Sequence, residues 1–170
     1  MTIYLIGFMG SGKSTVGKIL SNLMGSGYVD TDALIEEKYG PIPKIFSTYG
    51  ENTFRSYETS VLKEVPNGAA VISTGGGIVE RDENISFMKD NGVIVYLHTS
   101  FEQIQARLHN DTGRPLWNRD IQEKKNLFQK RIEIYRDCAG ITITTDDKEP
   151  IMIAEEIKEE LNWNKGINVE

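Results

Sequence analysis

The chain alternates between short, nearly continuous apolar runs and longer stretches with helical periodicity. The runs Thr2–Ile6, Tyr28–Asp30, Ala69–Ser73, Val93–His98 and Ile141–Thr144 are rich in β-branched and aliphatic residues. Such continuity, without polar alternation, predicts strands covered on both faces in a parallel sheet. Helices are predicted over Lys13–Met24, Asp32–Tyr39, Asn52–Val65, Arg81–Asn91, Phe101–Asn110, Asp120–Ala139 and Pro150–Leu161. Gly25-Ser26-Gly27, Gly40-Pro41, Pro66-Asn67-Gly68 and Asn91-Gly92 punctuate them. Strand and helix in regular alternation make an open three-layer α/β fold. The polar residues Asn162–Glu170 are expected to fray.

Two connections exceed a simple crossover. Residues 32–68 hold two or three helices between the second and third strands, an insert suited to binding a substrate. The polar loop Asp111–Arg119 joins two helices and reads as a lid. At 170 residues the chain is expected to form one domain, with the insert over about 32–61 and the lid over about 111–119.

The first strand runs into Gly7-Phe8-Met9-Gly10-Ser11-Gly12-Lys13-Ser14-Thr15 and then a helix. Strand, glycine-rich turn and helix are the setting in which G-x-x-x-x-G-K-[ST] cradles phosphate. Gly10, Ser11, Gly12 and Thr15 belong to a turn whose N–H groups point inward as an anion nest. Lys13 adds a point charge for the β- and γ-phosphates, and the Ser14 hydroxyl suits Mg²⁺. This fingerprint names a nucleotide and leaves the second substrate open among kinases, NTPases and GTPases.

Composition excludes other classes. The net charge of -6 and the lack of a basic run argue against nucleic acid. No stretch has the length of a membrane span, and Met1-Thr2 opens directly into the first strand, so neither membrane nor targeting segment is expected. The single cysteine, Cys138, makes neither an internal disulfide nor a thiolate metal cluster. A reducing cytoplasm and a monomer fit these features.

Four further clusters bear on the acceptor. Asp30-Thr31-Asp32 closes the second strand, at the sheet edge where open α/β folds bind ligands. One carboxylate there can serve a metal through water while the other accepts from a substrate hydroxyl; the plainer alternative is that Asp32 caps the next helix. In Phe46–Glu58, Phe54 and Glu58 share a helix face, and Arg55 offers a planar fork for a carboxylate. Gly75-Gly76-Gly77 follows the third strand and permits close backbone approach to a ligand. The arginines on and around the lid, Arg107, Arg114, Arg119, Arg131 and Arg136, are candidates to neutralise a transferred phosphoryl group or to be solvated surface charges.

In this order, Gly7–Thr15, Asp30-Thr31-Asp32, Phe46 with Gly50-Glu51, Phe54-Arg55 with Glu58, Gly75-Gly76-Gly77, Arg114-Pro115-Leu116 and Tyr135-Arg136 resemble the shikimate kinase family, from the first strand to about Pro150. The resemblance implies a P-loop kinase fold with sheet order 2-3-1-4-5. It implies transfer of the γ-phosphoryl of ATP to the 3-hydroxyl of shikimate, on the route to aromatic amino acids. It assigns Arg55 and Arg136 to the shikimate carboxylate, with Asp32, Gly76 and Gly77 at the ring hydroxyls. Phe46, Phe54 and Glu58 also fall to the acceptor site. Lys13 and Arg114 go to the transferred phosphoryl, Mg²⁺ to Ser14 with Asp30 through water, and Arg107 and Thr145–Pro150 to the adenine. Thr144-Thr145, Trp117, Pro41 and Pro43 depart from the family pattern. His98 and His109 match no family role. A different small-molecule kinase, such as a gluconate kinase, and a silent nucleotide-binding module remain the alternatives.

Overall fold

A computed structural model describes residues 1–65, 68 and 70–166. Five strands, β1 (Thr2–Ile6), β2 (Gly27–Asp30), β3 (Ala70–Ser73), β4 (Gly92–His98) and β5 (Ile141–Thr144), form one sheet in the order β2-β3-β1-β4-β5. Every pairing is parallel, with Leu5 beside Ser73 and Val95. The expected fold and strand order are therefore present. The predicted break at Pro66-Asn67 and strand start at Ala69 lie outside the described residues.

Alternation along the central strand explains the layers. Ile3 and Leu5 face α1 (Lys13–Met24) and the last helix, α7 (Pro150–Gly166), in a core with Val16, Leu20, Ile153 and Ile157. Tyr4 and Ile6 face the other way, joining Ile72, Ile94 and Tyr96 against Met88, Phe101, Ile104, Phe128 and Ile132. Those partners come from α4 (Asp82–Asn91), α5 (Phe101–Leu108) and α6 (Ile121–Cys138). Both faces of the sheet are thus covered, as its continuous apolar strands require.

Several helix ends differ from expectation for local reasons. Helix α2 (Thr31–Tyr39) starts one residue early because Asp30, not Asp32, caps it: the Asp30 side chain accepts from the N–H groups of Asp32 and Ala33. Helix α3 (Ile42–Glu64) reaches back well beyond Asn52, with Pro43 in its first turn and a break at Gly50, whose φ is 83°. Asp120 caps α6 from outside. Helix α7 continues to Gly166, so residues 162–166 extend the helix where fraying was expected, and residues 167–170 lie outside the described residues. A separate small core of Ile35, Ile45, Phe54 and Val61 packs α2 against α3.

Candidate active site

All the site elements meet at the carboxyl end of the sheet, where β1, β2 and β3 release their loops. Gly7, Gly10 and Gly12 all have positive φ. At Gly7 a Cβ would lie 2.7 Å from the Leu97 carbonyl oxygen, so the turn at the end of β1 admits no side chain there. The Lys13 ammonium is buried and donates to the carbonyls of Gly7 (2.8 Å) and Phe8 (3.1 Å). Burial pushes its pKa down to about 8, against the opposing pull of Asp32. A hollow at this loop is lined by Gly10, Gly12, Lys13, Ser14, Thr15, Asp30, Asp32, Thr74, Gly76 and Arg114. Ser11 is buried within the turn, where its N–H donates to the Phe8 carbonyl.

Asp30 joins the two elements that flank this hollow. Its Oδ2 accepts from the Ser14 hydroxyl (2.8 Å) and from Tyr28 (3.2 Å), while Oδ1 caps α2. One hydroxyl and one carboxylate are hard oxygen donors, and no cluster of three or more His, Cys, Asp or Glu side chains arranged for a metal occurs among the described residues. That donor set fits Mg²⁺, which commonly takes one or two protein oxygens and completes its shell with water and phosphate.

A second pocket opens beside the first. Asp32, Phe46, Phe54, Arg55, Glu58, Gly75, Gly76, Gly77, Arg114 and Arg131 line it. Met9, Asp32, Gly76 and Arg114 border both hollows, so the two are contiguous. The break at Gly50 lets one long helix supply Phe46 and Phe54 together, their rings 4.7 Å apart.

The loop after β3 is tied down at three points. Thr74 donates its N–H and hydroxyl to the Leu5 carbonyl, Gly75 donates to Thr31 Oγ1, and the buried Tyr135 hydroxyl donates to the Gly76 carbonyl. The loop leaves room for the charged groups beside it: a Cβ on Gly77 would displace the Arg55 guanidinium, and one on Gly75 would lie 2.5 Å from Glu58 Oε1 and displace that carboxylate.

Charge is concentrated on the pocket wall. Arg55 Nη1 donates to Glu58 and Nη2 to Glu51 (3.1 Å), and its Nε lies 3.9 Å from Glu80. Arg131 Nε donates to Glu80 over 2.8 Å. Burial pushes the Glu58 carboxyl up to about 7, with Arg55 opposing. Burial, then the neighbouring Asp30 charge, raises the pKa of Asp32, while Lys13 and Arg114 pull the other way. Among the described residues, six buried side-chain polar atoms have no hydrogen-bond partner within the protein, and four of them are Asp32 Oδ1, Arg55 Nε, Glu58 Oε1 and Arg131 Nη2. Orphaned polar atoms are costly to bury. Two acceptors and two donors on the residues of one pocket mark it as made for a ligand with complementary hydroxyl and carboxylate groups.

The structure does not bring every expected residue to this place. Arg136 is exposed on α6 and lines neither hollow. Five residues turn a helix by about 140°, and the buried stripe Phe128, Arg131, Ile132, Tyr135, Cys138 is the one that faces inward. Arg131 rides on that stripe and reaches the pocket. Its place at the helical spacing from Tyr135 was the available signal. Arg107 is exposed beside the phosphate loop, with Nη1 donating to the Gly10 carbonyl (3.0 Å). Pro150 opens α7 outside both hollows. Trp117 gains a structural account: its indole N–H donates to the Leu108 carbonyl (3.1 Å), and its ring packs on Phe8 and Phe101. Cys138 is buried, and burial pushes its thiol up to about 11, which leaves it inert. His98 accepts or donates at Nδ1 with the Tyr96 hydroxyl (2.9 Å), away from both hollows.

Residues 9–162 match the family model described as Shikimate kinase. The chain is 46% identical over 157 residues to a shikimate kinase of Sulfurihydrogenibium sp., covering 91% of this chain and 94% of that one. It is 44% identical over 163 residues to a shikimate kinase of Bacillus anthracis, covering 95% and 98%. Among solved structures, shikimate kinase from Acinetobacter baumannii in complex with shikimate superposes with a TM-score of 0.92 at 39% identity, over 96% of this chain and 94% of that one. With family model, relatives and fold in agreement over nearly the whole length, the chain belongs to the shikimate kinase family.

Proposed function

We propose that the chain transfers the γ-phosphoryl group of ATP to the 3-hydroxyl of shikimate, giving shikimate 3-phosphate and ADP for aromatic amino-acid synthesis. The observation that carries this reading is the shared wall of Asp32, Met9, Gly76 and Arg114 between the phosphate loop and the polar pocket. A group held at that wall from the acceptor side faces a phosphoryl group held from the other, as direct in-line transfer requires.

Each side chain then has a task. The phosphate loop from Gly10 to Thr15 cradles the nucleotide phosphates. Lys13 and Arg114 meet the phosphoryl group as charge develops on it. Asp32 orients the acceptor hydroxyl and takes its proton; a raised carboxyl pKa suits that work. Arg131 and Arg55 receive the shikimate carboxylate, the free Arg131 Nη2 making the first contact. Arg131 thereby replaces Arg136 in this role. Phe46 and Phe54 wall the carbocycle, with Gly76 and Gly77 backbone beside its hydroxyls. Ser14, and Asp30 through water, would hold Mg²⁺, which would neutralise phosphate charge. We assign Arg107 to stack on the adenine, with the Thr145–Pro150 loop lining the other side of the ring. The same proposal takes the protein to act as a monomer in the cytoplasm.

The test is ADP release by a coupled assay with ATP, Mg²⁺ and shikimate, run beside gluconate, a nucleoside monophosphate and no acceptor. Turnover with shikimate alone is expected. Turnover with another acceptor and none with shikimate would overturn the acceptor assignment.

A further inference from the structure

Glu80 stands just outside the pocket lining but touches both of its buried arginines. It ends a single turn of 3-10 helix, Ile78–Glu80, that follows the triple glycine, and its N–H donates to the Gly77 carbonyl (3.0 Å). The carboxylate is thus fixed by the same loop that shapes the pocket. Its Oε1 accepts from Arg131 Nε at 2.8 Å, and its Oε2 lies 3.9 Å from Arg55 Nε.

Both contacts fall on the Nε edge of a guanidinium. A planar guanidinium has two usable edges. With Nε held by Glu80, the orientation of the Arg131 guanidinium is constrained, and Nη2 is buried with no hydrogen-bond partner in the protein. Arg131 also lies over the Phe8 ring, 5.8 Å from its centroid, which favours the cation there. Arg55 is held on its other edge by Glu58 and Glu51. Among the described residues, Glu80 is the one carboxylate within ion-pair distance of both cations.

We propose that Glu80 is a positioning residue that sets Arg131, and with it Arg55, to receive the acceptor's carboxylate. It never touches the substrate. Its carboxyl is held below the ordinary glutamate range, since Arg131 and then Arg55 outweigh the effect of burial, so the bridge stays charged at neutral pH. A carboxylate that served only to anchor two helices would leave substrate affinity unaltered when replaced in a folded protein. A positioning carboxylate would not.

This inference rests on the acceptor-site reading above, and kinetics on Glu80→Ala, Glu80→Gln, Arg131→Ala and the double variant Glu80→Ala/Arg131→Ala separates the two. Glu80→Ala should raise KM for shikimate about tenfold or more, with kcat changed less than about threefold and KM for ATP unaltered. Glu80→Gln keeps an oxygen for Arg131 Nε and should recover about half of that loss on a logarithmic scale. The double variant should be no worse than Arg131→Ala, because Glu80 acts through Arg131. Glu80→Ala with an unaltered or lower KM for shikimate would overturn the proposal, provided Arg131→Ala raises it. If Arg131→Ala itself leaves KM unaltered, the clamp assignment fails instead, and Glu80 with it. Should Glu80→Ala fail to fold, Glu80→Gln decides: about a threefold rise in KM for shikimate alone supports the inference, and no rise overturns it.

Discussion

Asp32 and Glu58 each aim one carboxylate oxygen at the same spot, the position a Cβ would take on Gly75. From that spot Asp32 Oδ1 is 2.9 Å away and Glu58 Oε1 is 2.5 Å away. Both oxygens are buried and unpartnered within the protein. The two carboxylates come from the first turn of α2 and from the long helix α3, and in the proposed acceptor site they form a floor that accepts from hydroxyls.

Asp32→Asn should therefore lower kcat about a hundredfold or more while leaving ATP affinity nearly unaltered, if the residue takes the proton. Asparagine keeps the shape and removes the base. Steady-state kinetics with both substrates varied checks this, and normal turnover would remove Asp32 from the chemistry.

For Glu58 the consequence is a pH effect on stability. Its carboxyl titrates at about 7 in the folded protein against an ordinary value of 4.5. The folded state thus holds a proton that the unfolded chain releases over this interval. The stability this group contributes is full below pH 4.5 and is lost as pH rises to about 7. Glu58→Gln keeps an acceptor for Arg55 and should flatten the fall of Tm across that window. Thermal melts at closely spaced pH values test it; parallel curves for the two proteins would refute it.

Lys13 should impose an upper limit in pH on nucleotide capture. Burial holds the free enzyme's ammonium at about 8, and only the protonated form attracts phosphate. kcat/KM for ATP reports the free enzyme. It should fall about tenfold per pH unit above that value. A flat profile to pH ~10 would show that Lys13 keeps its charge despite burial.

Arg131→Ala should cost about 2–5 kcal/mol of shikimate binding, mostly from the loss of a buried charge partner. Arg136→Ala should change KM for shikimate less than about twofold, since an exposed charge off the pocket wall contributes little. The opposite ranking would return the carboxylate to Arg136.

These residues also show what could be read before any coordinates. The apolar runs, continuous rather than alternating, sufficed for a parallel sheet because both faces had to be covered. The phosphate loop was legible because three backbone conformations with positive φ, a buried cation and a helix start must come in fixed order. Asp32 was legible because ligands gather at strand ends. Arg131 was harder. A guanidinium on a buried helical stripe looks like a misfit to apolar patterning, and the Glu80 carboxylate, 51 residues earlier, helps make its burial tolerable. Glu80 itself carried no local signal, since a glutamate after a glycine-rich loop is usually solvated. The Ile42–Gly50 half of α3 was hidden by two prolines and a glycine, which punctuate loops as readily as helix ends.

Trp117 sets how far the chain around Arg114 can travel. Its indole is pinned to the last turn of α5 through the Leu108 carbonyl, and its ring is wedged against Phe8 of the phosphate loop itself. Both ends of the intervening stretch are thereby anchored to one spot, leaving eight residues, 109–116, as a closed loop on a fixed base. A loop tethered so reaches out by half its contour, about 13 Å at full extension. The span is a tongue, with no second body to swing. In the proposed reaction, Arg114 near its tip would arrive at or leave the phosphoryl group by a change in a few backbone angles of this short span.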